Sequence, residues 1–197
     1  GARRPFLFGL GQGAAITAEI VLCSATIYAF AAVLCPRVVA ACGLLGSLVV
    51  LPVIAAVLSA IWTWTAVVIV AAAKRILIGR YVAGRHPAFG WFHYRHWLLH
   101  QLARALPLAS IQGTEFQNIV LRLLGAKIGR GTHIHRGVDV LNGGWDLLTI
   151  GDDVVVAQEA SLRLVEYADG ELVVGPITIE NGATVDIRAG LAPHTHV

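Results

Sequence analysis

The sequence is poor in sulfur-containing, aromatic and charged side chains. It has 197 residues with no methionine, three cysteines, 8% aromatic residues and 14% charged residues. Cys23, Cys35 and Cys42 have neither the paired spacing of a disulfide framework nor that of a metal site, so we interpret them as small apolar residues of a membrane segment. The net charge is only +3, and no interleaved basic and aromatic residues suggest a nucleic-acid groove. We therefore expect neither a bound metal nor a nucleic-acid partner.

Apolar residues are correspondingly abundant and are concentrated before residue 75. A mean hydropathy of +0.70 is too high for one ordinary soluble domain, which predicts a membrane part followed by a globular part. The chain opens Gly1-Ala2-Arg3-Arg4 and stops at Val197 within a repeat, so we expect it to be a segment of a longer polypeptide.

Two apolar runs predict a pair of membrane spans. Ala14–Cys35 carries one charge, Glu19, and as a helix would extend about 33 Å, enough for the hydrocarbon core of a bilayer. Pro36 and Arg37 interrupt the pattern, and residues 38–73 are then uncharged. We predict a transmembrane helical hairpin over residues 1–78. Glu19 is a candidate pathway residue or, alternatively, lies near the headgroups.

The basic residues indicate the orientation of this hairpin. Arg3 and Arg4 precede the first run, one arginine lies between the runs, and four basic residues follow the second: Lys74, Arg75, Arg80 and Arg85. Because cytoplasmic flanks carry the excess of lysine and arginine, both ends should be cytoplasmic. This predicts a multi-pass protein whose globular part faces the cytoplasm.

Residues 79–127 are predicted to form a connector and an amphipathic helix. Between Phe89 and Leu106 one helical face carries Trp91, Leu98, Leu102 and Leu106, and the other carries His93, His96, His100 and Arg104. We predict a helix lying in the membrane surface, with the basic face in water or against phosphate groups. Arg95 points into the apolar face, from where it could reach a phosphate or a carboxylate.

An aliphatic residue recurs every six positions in the last third of the chain. These positions are Ile128, Ile134 and Val140, then Ile150, Val156 and Leu162, then Ile179, Val185, Leu191 and Val197. Neither a helix, with its period of 3.6, nor a strand, with its period of 2, produces this spacing. A parallel β-helix does, because each short strand contributes one inward aliphatic side chain to a shared column. We predict a left-handed β-helix over residues 128–197, truncated at its C-terminal end.

Two insertions interrupt this period, one near Asn142–Trp145 and one around Glu166–Gly170. Insertions in repeat structures emerge as loops, often on the working face. Glu166, Tyr167 and Asp169 are therefore candidate site residues, the alternative being an ordinary surface excursion.

Two stretches carry a family resemblance. Leu123–Gly129 (LLGAKIG), followed by six-residue repeats, resembles the start of hexapeptide-repeat acyltransferases. A second stretch makes the resemblance more specific. It is residues 79–102 (GRYVAGRHPAFGWFHYRHWLLHQL), which lie between the apolar runs and Gly113-Thr114. Together they resemble the membrane-bound terminal region of nonribosomal peptide synthetases of the ε-poly-L-lysine synthetase type.

This resemblance implies one unit of a tandem in the bacterial cytoplasmic membrane that joins a free amino acid to a carrier-bound aminoacyl thioester. It implies phosphopantetheine (or CoA) as the cofactor. The implied partners are adenylation and carrier domains of the same polypeptide, the lipid bilayer and neighbouring β-helix units, which could form a pseudo-trimer. Comparable units often have a histidine where this sequence reads Arg163-Leu164-Val165. That departure weakens a catalytic role for this unit.

Aminoacyl transfer needs a base for the attacking ammonium, and histidine suits this task. Exposed histidines are expected at His133, His135, His194 and His196. The candidate catalytic residues are His135, His194, His196 and Glu166. Arg136 and Arg163 are the candidate contacts for the cofactor. Two other functions stay open: a membrane-linked acyltransferase using acetyl-CoA, and a non-catalytic scaffold unit.

Overall fold

The computed structural model describes residues 5–106 and 111–197, so Arg3 and Arg4, which entered the orientation argument, lie outside the described residues. The chain divides into two compact units, and the described parts are residues 5–65 and residues 66–197. Each unit is described below by itself.

The first unit is the N-terminal part of a long helical segment whose apolar side chains are mostly exposed. Helix α1 (Pro5–Ala29), a π-helical turn (Phe30–Leu34) and helix α2 (Cys35–Leu77) follow one another without a loop. Gly43, with φ 71° and ψ 174°, is the non-helical residue at which two helical pieces of α2 meet. One segment, Phe6–Leu77, is long and apolar enough to cross a membrane by length and composition.

The predicted helical hairpin is not shown, and the expectation of a multi-pass protein is not supported, because the described residues contain one candidate span. Pro36 was expected to end the first helix. Instead the π-helical turn precedes it, with the Cys35 N–H donating to the Phe30 carbonyl, and Pro36 falls in the first turn of α2. Inside a continuous helical run Pro36 lacks the N–H for one helical hydrogen bond, and the π-helical turn just before it is where the regular α-helical pattern is interrupted.

The described residues of the second unit form two further helices and twelve short strands. The helices are α3 (Trp91–Arg104) and α4 (Glu115–Leu123), and Trp145–Leu147 forms a 3₁₀ turn. The strands are β1 (Gly84–Pro87), β2 (Lys127–Ile128), β3 (His133–Ile134), β4 (Leu148–Ile150), β5 (Val155–Val156), β6 (Ser161–Leu162), β7 (Val165–Ala168), β8 (Glu171–Val174), β9 (Ile177–Ile179), β10 (Thr184–Val185), β11 (Gly190–Leu191) and β12 (Thr195–His196).

The strands form four small sheets, with the orders β1-β8-β7, β10-β5-β3, β11-β6 and β12-β9-β4-β2. The first is antiparallel throughout and the other three are parallel. Aliphatic positions of the six-residue period face each other across parallel strands, as Ile134 and Val185 do on either side of Val156. The period therefore marks register positions, most of which are buried, although Ile128 and Leu191 are only partly buried and Val197 is exposed.

The prediction of a left-handed β-helix is nevertheless wrong. The structure consists of mixed parallel and antiparallel sheets in small separate pieces, and the described residues do not indicate a left-handed β-helix. The departure is clearest at the second insertion. Its residues form the β7–β8 hairpin, and β8 pairs with β1, a strand that precedes α3 in the sequence.

The core of the second unit includes a face of α3 that was expected to be exposed. Leu99 and Ala103 are fully buried, and His96 and His100, on the same side of the helix, are partly buried. By contrast Trp91, assigned to a membrane-facing stripe, is 69% exposed within the protein. The prediction of a solvated histidine face is therefore wrong, because this face packs on the second unit itself. The position of α3 at a membrane surface stays a prediction.

Candidate functional site

The histidine face of α3 meets segments from both insertions. We use "histidine face" for His93, His96 and His100, which lie three and four residues apart and therefore on one side of a helix. His93 lies near the β7–β8 hairpin, and the two others lie near the Asn142–Trp145 segment. The contacts are described residue by residue below.

His96 is the most enclosed member of the histidine face. Its Nδ1 is 2.9 Å from the hydroxyl oxygen of Tyr81, whose ring also packs edge-on against buried Trp145. Burial, with a smaller contribution from His100 and His93, lowers the pKa of His96 from 6.5 to about 4. At neutral pH the imidazole is uncharged, so its Nδ1 can accept from the Tyr81 hydroxyl.

The first insertion, at Asn142–Trp145, lies close to His96 and Tyr81. A Cβ atom on Gly143 would come within 2.8 Å of Cε1 of His96 and within 2.9 Å of the Tyr81 hydroxyl. Gly143 also has φ 82°, a conformation that side chains disfavour. Glycine at this position therefore permits the insertion to contact the histidine face directly.

The backbone N–H of Tyr81 is bound by an aspartate that also forms an ion pair. Asp146 accepts a hydrogen bond from the Tyr81 N–H at 2.9 Å through Oδ2 and an ionic contact from Lys74 at 2.6 Å through Oδ1. Burial raises the pKa of the Tyr81 phenol, with Gly144 opposing and Asp146 adding to the effect. The phenol therefore stays protonated and can donate to His96.

His93 lies at the end of α3 that faces the hairpin. Its Nδ1 accepts from the Phe89 N–H at 3.1 Å, and its ring centre is 6.3 Å from that of Tyr167 in β7. Burial lowers the pKa of His93 below 6.5. Tyr167, named from the sequence as a loop residue, is thus brought beside the histidine face.

His100 completes the face and has the most polar surroundings. Burial and the charge of Arg104 lower its pKa, while the Asp139 carboxylate and a hydrogen bond with the Asn142 side chain act in the opposite direction. Asn142 Nδ2 donates to Asp139 Oδ2 at 2.5 Å. Asn142 and Asp139 therefore make the surroundings of His100 polar.

The candidate catalytic residues named from the sequence lie in or next to strands of three different sheets. His135 follows β3, and its ring centre is 4.5 Å from that of His133. His196 lies in β12 and is 2.9 Å from Glu180, while His194, with φ 68°, donates its N–H to the Pro176 carbonyl. Glu166 lies in β7. Their catalytic roles stay a prediction.

The predicted cofactor contacts have structural partners of their own. Arg163 Nη1 lies 2.7 Å from Glu166 Oε1, so these two candidates form one ion pair. Arg136 lies against Gly113, just before α4. Whether either arginine binds a phosphopantetheine arm stays a prediction.

The three remaining predicted contacts are spread over two helices. Glu19 is exposed on α1, and Arg104 is exposed at the end of α3. The Arg95 guanidinium lies 5.8 Å from the centre of the Trp91 ring, and its Nε is buried without a hydrogen-bond partner among the described residues. A cation over an aromatic face is a stabilising contact, which explains how Arg95 is accommodated.

The described parts of the chain contain no group of three or more His, Cys, Asp or Glu side chains placed to hold a metal ion. Sequence reasoning did not identify Tyr81, Asp146 or Lys74 as site residues: Lys74 served only to orient the membrane segment, and Tyr81 only as part of the resemblance. The one signal that pointed to this region was the insertion at Asn142–Trp145. It contains Asn142 and Gly143, which lie beside His100 and His96.

Comparison with known proteins relates part of this chain to a synthetase that polymerises an amino acid. Over 122 residues, 62% of this chain, it is 32% identical to delta-poly-L-ornithine synthetase from Acinetobacter baumannii (strain AB307-0294). The matched region is 9% of that protein's length. No protein-family model and no solved structure matches the chain.

Proposed function

We propose that this chain takes part in amide-bond formation within a membrane-associated synthetase that joins amino acids. The observation that carries the proposal is the 32% identity over 122 residues to delta-poly-L-ornithine synthetase. The helical segment Phe6–Leu77, long and apolar enough to cross a membrane, supports the membrane association. Because the match covers 9% of the relative, the chain would supply one part of such an enzyme.

The proposed reaction joins a free amino acid to a carrier-bound aminoacyl thioester. Adenylation and carrier domains would load the acyl group on phosphopantetheine and present it to residues 66–197. The amine must lose a proton before it attacks, and a neutral imidazole near its ordinary pKa is suited to take it. Burial lowers the pKa values of His93 and His100, so both imidazoles are neutral at pH 7 and able to accept a proton, whereas His96, with a pKa of about 4, is too weak a base for this task.

The proposed location is the bacterial cytoplasmic membrane, with residues 66–197 on the cytoplasmic side. Lys74, Arg75, Arg80 and Arg85 follow the apolar segment directly. An excess of lysine and arginine after a span favours retention of that flank in the cytoplasm. Carrier-bound aminoacyl groups would then be available on the same side.

The test uses the full-length protein in lipid nanodiscs with a carrier protein loaded with L-ornithine or L-lysine. Addition of the same free amino acid should yield an amide-linked product by mass spectrometry, and no product without the loaded carrier. Acetyl-CoA offered in place of the carrier tests the acyltransferase alternative. Acetylated product from acetyl-CoA, with no amide from the carrier, would overturn the proposal.

A non-catalytic scaffold role is the second candidate. It is favoured by the ion pairs that occupy two predicted catalytic residues, Glu166 with Arg163 and His196 with Glu180. Under this alternative, substitutions on the histidine face would leave the rate of amide formation unchanged. Removal of residues 66–197 would instead reduce the assembly of the synthetase.

A further inference from the structure

The C-terminal end of α2 and the end of α4 form the two sides of an open groove. Its α2 side includes Val68, Ala72, Arg75 and Ile76, and Leu123 of α4 lies opposite. The volume of the groove is about 380 Å³, within the range of about 300 to 1,000 Å³ that is usual for ligand sites. Among the described residues, Arg75 is the one charged side chain in a wall that is otherwise apolar.

Helix α4 carries apolar side chains on two opposite sides. One side packs in the core of the second unit, as fully buried Leu121 does. On the other side Phe116, Ile119 and Leu123, three and four residues apart, are all exposed. This exposed row ends in the groove at Leu123, and the groove also includes Ile76, which is 82% exposed. The exposed row of α4 and the end of α2 therefore make one continuous apolar surface.

The charges of α2 give the level of this groove relative to a bilayer. Residues 38–73 are uncharged, and Arg75 is the first exposed cation after them, because adjacent Lys74 is buried in its ion pair with Asp146. An exposed arginine at the end of an apolar span extends to the headgroups. Val68 lies about 10 Å farther back along the helix. A membrane-spanning α2 would therefore place the groove among the acyl chains, next to the headgroups.

We propose that this groove binds an anionic membrane phospholipid, with an acyl chain against Val68, Ala72 and Leu123 and the phosphate group at Arg75. The inference rests on the membrane association proposed above and not on the reaction. An acyl chain suits the apolar wall, whereas a polypeptide segment would carry backbone polar groups that this wall cannot pair. The exposed row of α4 would then lie in the interface, as the apolar face of an amphipathic helix does.

The experiment measures lipid retention by the full-length protein, transferred from nanodiscs of phosphatidylglycerol and phosphatidylcholine into detergent, by native mass spectrometry. The wild type should retain phosphatidylglycerol in preference to phosphatidylcholine. Arg75→Gln should lower the retained phosphatidylglycerol by about fivefold, and Ala72→Trp, which fills the groove, should abolish retention. Arg80→Gln removes an exposed charge outside the groove wall, and Ala55→Trp adds the same ring at another exposed position of α2. Both controls should behave as the wild type.

A second measurement uses the unaltered protein, so it does not depend on the folding of a variant. Nanodiscs contain phosphatidylglycerol with a photoreactive diazirine on its acyl chain, and the labelled residues are identified after irradiation and proteolysis. Label is expected on Ile119 and Leu123 of α4 as well as on the end of α2. Label confined to Phe6–Leu77, or cross-links through Leu123 to a second copy of the chain, would overturn the inference.

The outcomes separate this inference from the proposed function. Equal retention by the wild type, Arg75→Gln and Ala72→Trp overturns the lipid site, and so does an equal loss in the two control variants. Amide formation by a protein that retains no phosphatidylglycerol overturns this inference and leaves the proposed function standing. Selective retention by a protein that forms no amide does the reverse.

Discussion

The ammonium nitrogen of Lys74 lies 2.6 Å from Oδ1 of Asp146, with the two side chains only 8% and 14% exposed. The other carboxylate oxygen accepts the Tyr81 N–H, so one aspartate ties the end of α2 to the residue that contacts His96. Because an ion pair removed from water is costly to break on one side, this contact is a structural support of the candidate site.

Lys74→Met is expected to destabilise residues 66–197 by about 3 to 5 kcal/mol, because it leaves the carboxylate without its cation in a poorly hydrated position. Chemical unfolding of the protein in detergent at pH 7 measures the loss. The double variant with Asp146→Asn should recover part of it. Arg188→Gln breaks an exposed pair and should cost no more than about 1 kcal/mol; equal losses at both sites would contradict the prediction.

Gly125→Ala is expected to destabilise the same unit more than Gly182→Ala. Both glycines have positive φ, 107° and 72°, so alanine is strained at each by about 1 to 2 kcal/mol. A Cβ at Gly125 would in addition overlap Asp146 Oδ1 and lie 2.8 Å from Lys74 Nζ, whereas the space at Gly182 is open. Thermal unfolding of the two variants measures the difference, and a larger effect at Gly182 would refute this account.

His96→Gln is expected to make stability less dependent on pH. The folded pKa of about 4 lies below the ordinary 6.5, so the unfolded chain binds a proton first as the pH falls. The wild type keeps its full stability above pH 6.5 and loses about 3 kcal/mol between pH 6.5 and 4 through this one group. Midpoints of unfolding across that range give the slope. An equal slope in the wild type and in His96→Gln would contradict this prediction.

Leu45→Arg with Leu48→Arg is expected to abolish stable membrane association. Both side chains are exposed in the apolar helical segment, and each arginine at the centre of a span disfavours insertion by about 2.5 to 3.5 kcal/mol. Resistance of the protein to extraction from membranes with alkaline carbonate is the measurement. The matched pair Leu45→Ala with Leu48→Ala should stay resistant, and extraction of both pairs alike would point to another means of attachment.

Parts of this architecture are predictable from the sequence because they depend on local periodicity. The apolar segment needs only length and composition, and the six-residue period marks positions that pair across parallel strands, as Ile128 and Ile150 do. The wider fold is not predictable in this way. The β-helix prediction treated the insertion after Leu162 as a loop, but its residues form a hairpin whose strand β8 pairs with β1, 84 to 90 positions earlier in the sequence.

The candidate site, like the fold, is predictable from the sequence only where it depends on local spacing. The amphipathic pattern of α3 groups its residues into two faces, yet a helical pattern does not say what each face contacts. Tyr81, Asn142 and Tyr167 reach the histidine face only through long-range packing. No local spacing relates them to His93, His96 or His100.

By itself the sequence determined that this protein has an apolar helical segment, a set of regularly spaced buried aliphatic positions and a row of three histidines on one helix. Only the tertiary structure decided that the histidine row faces the protein and not a membrane surface. The physical reason is that burial of Leu99 and Ala103 turns that side of α3 toward the core. The insertions and the Lys74–Asp146 pair then supply the polar contacts that a buried histidine face requires.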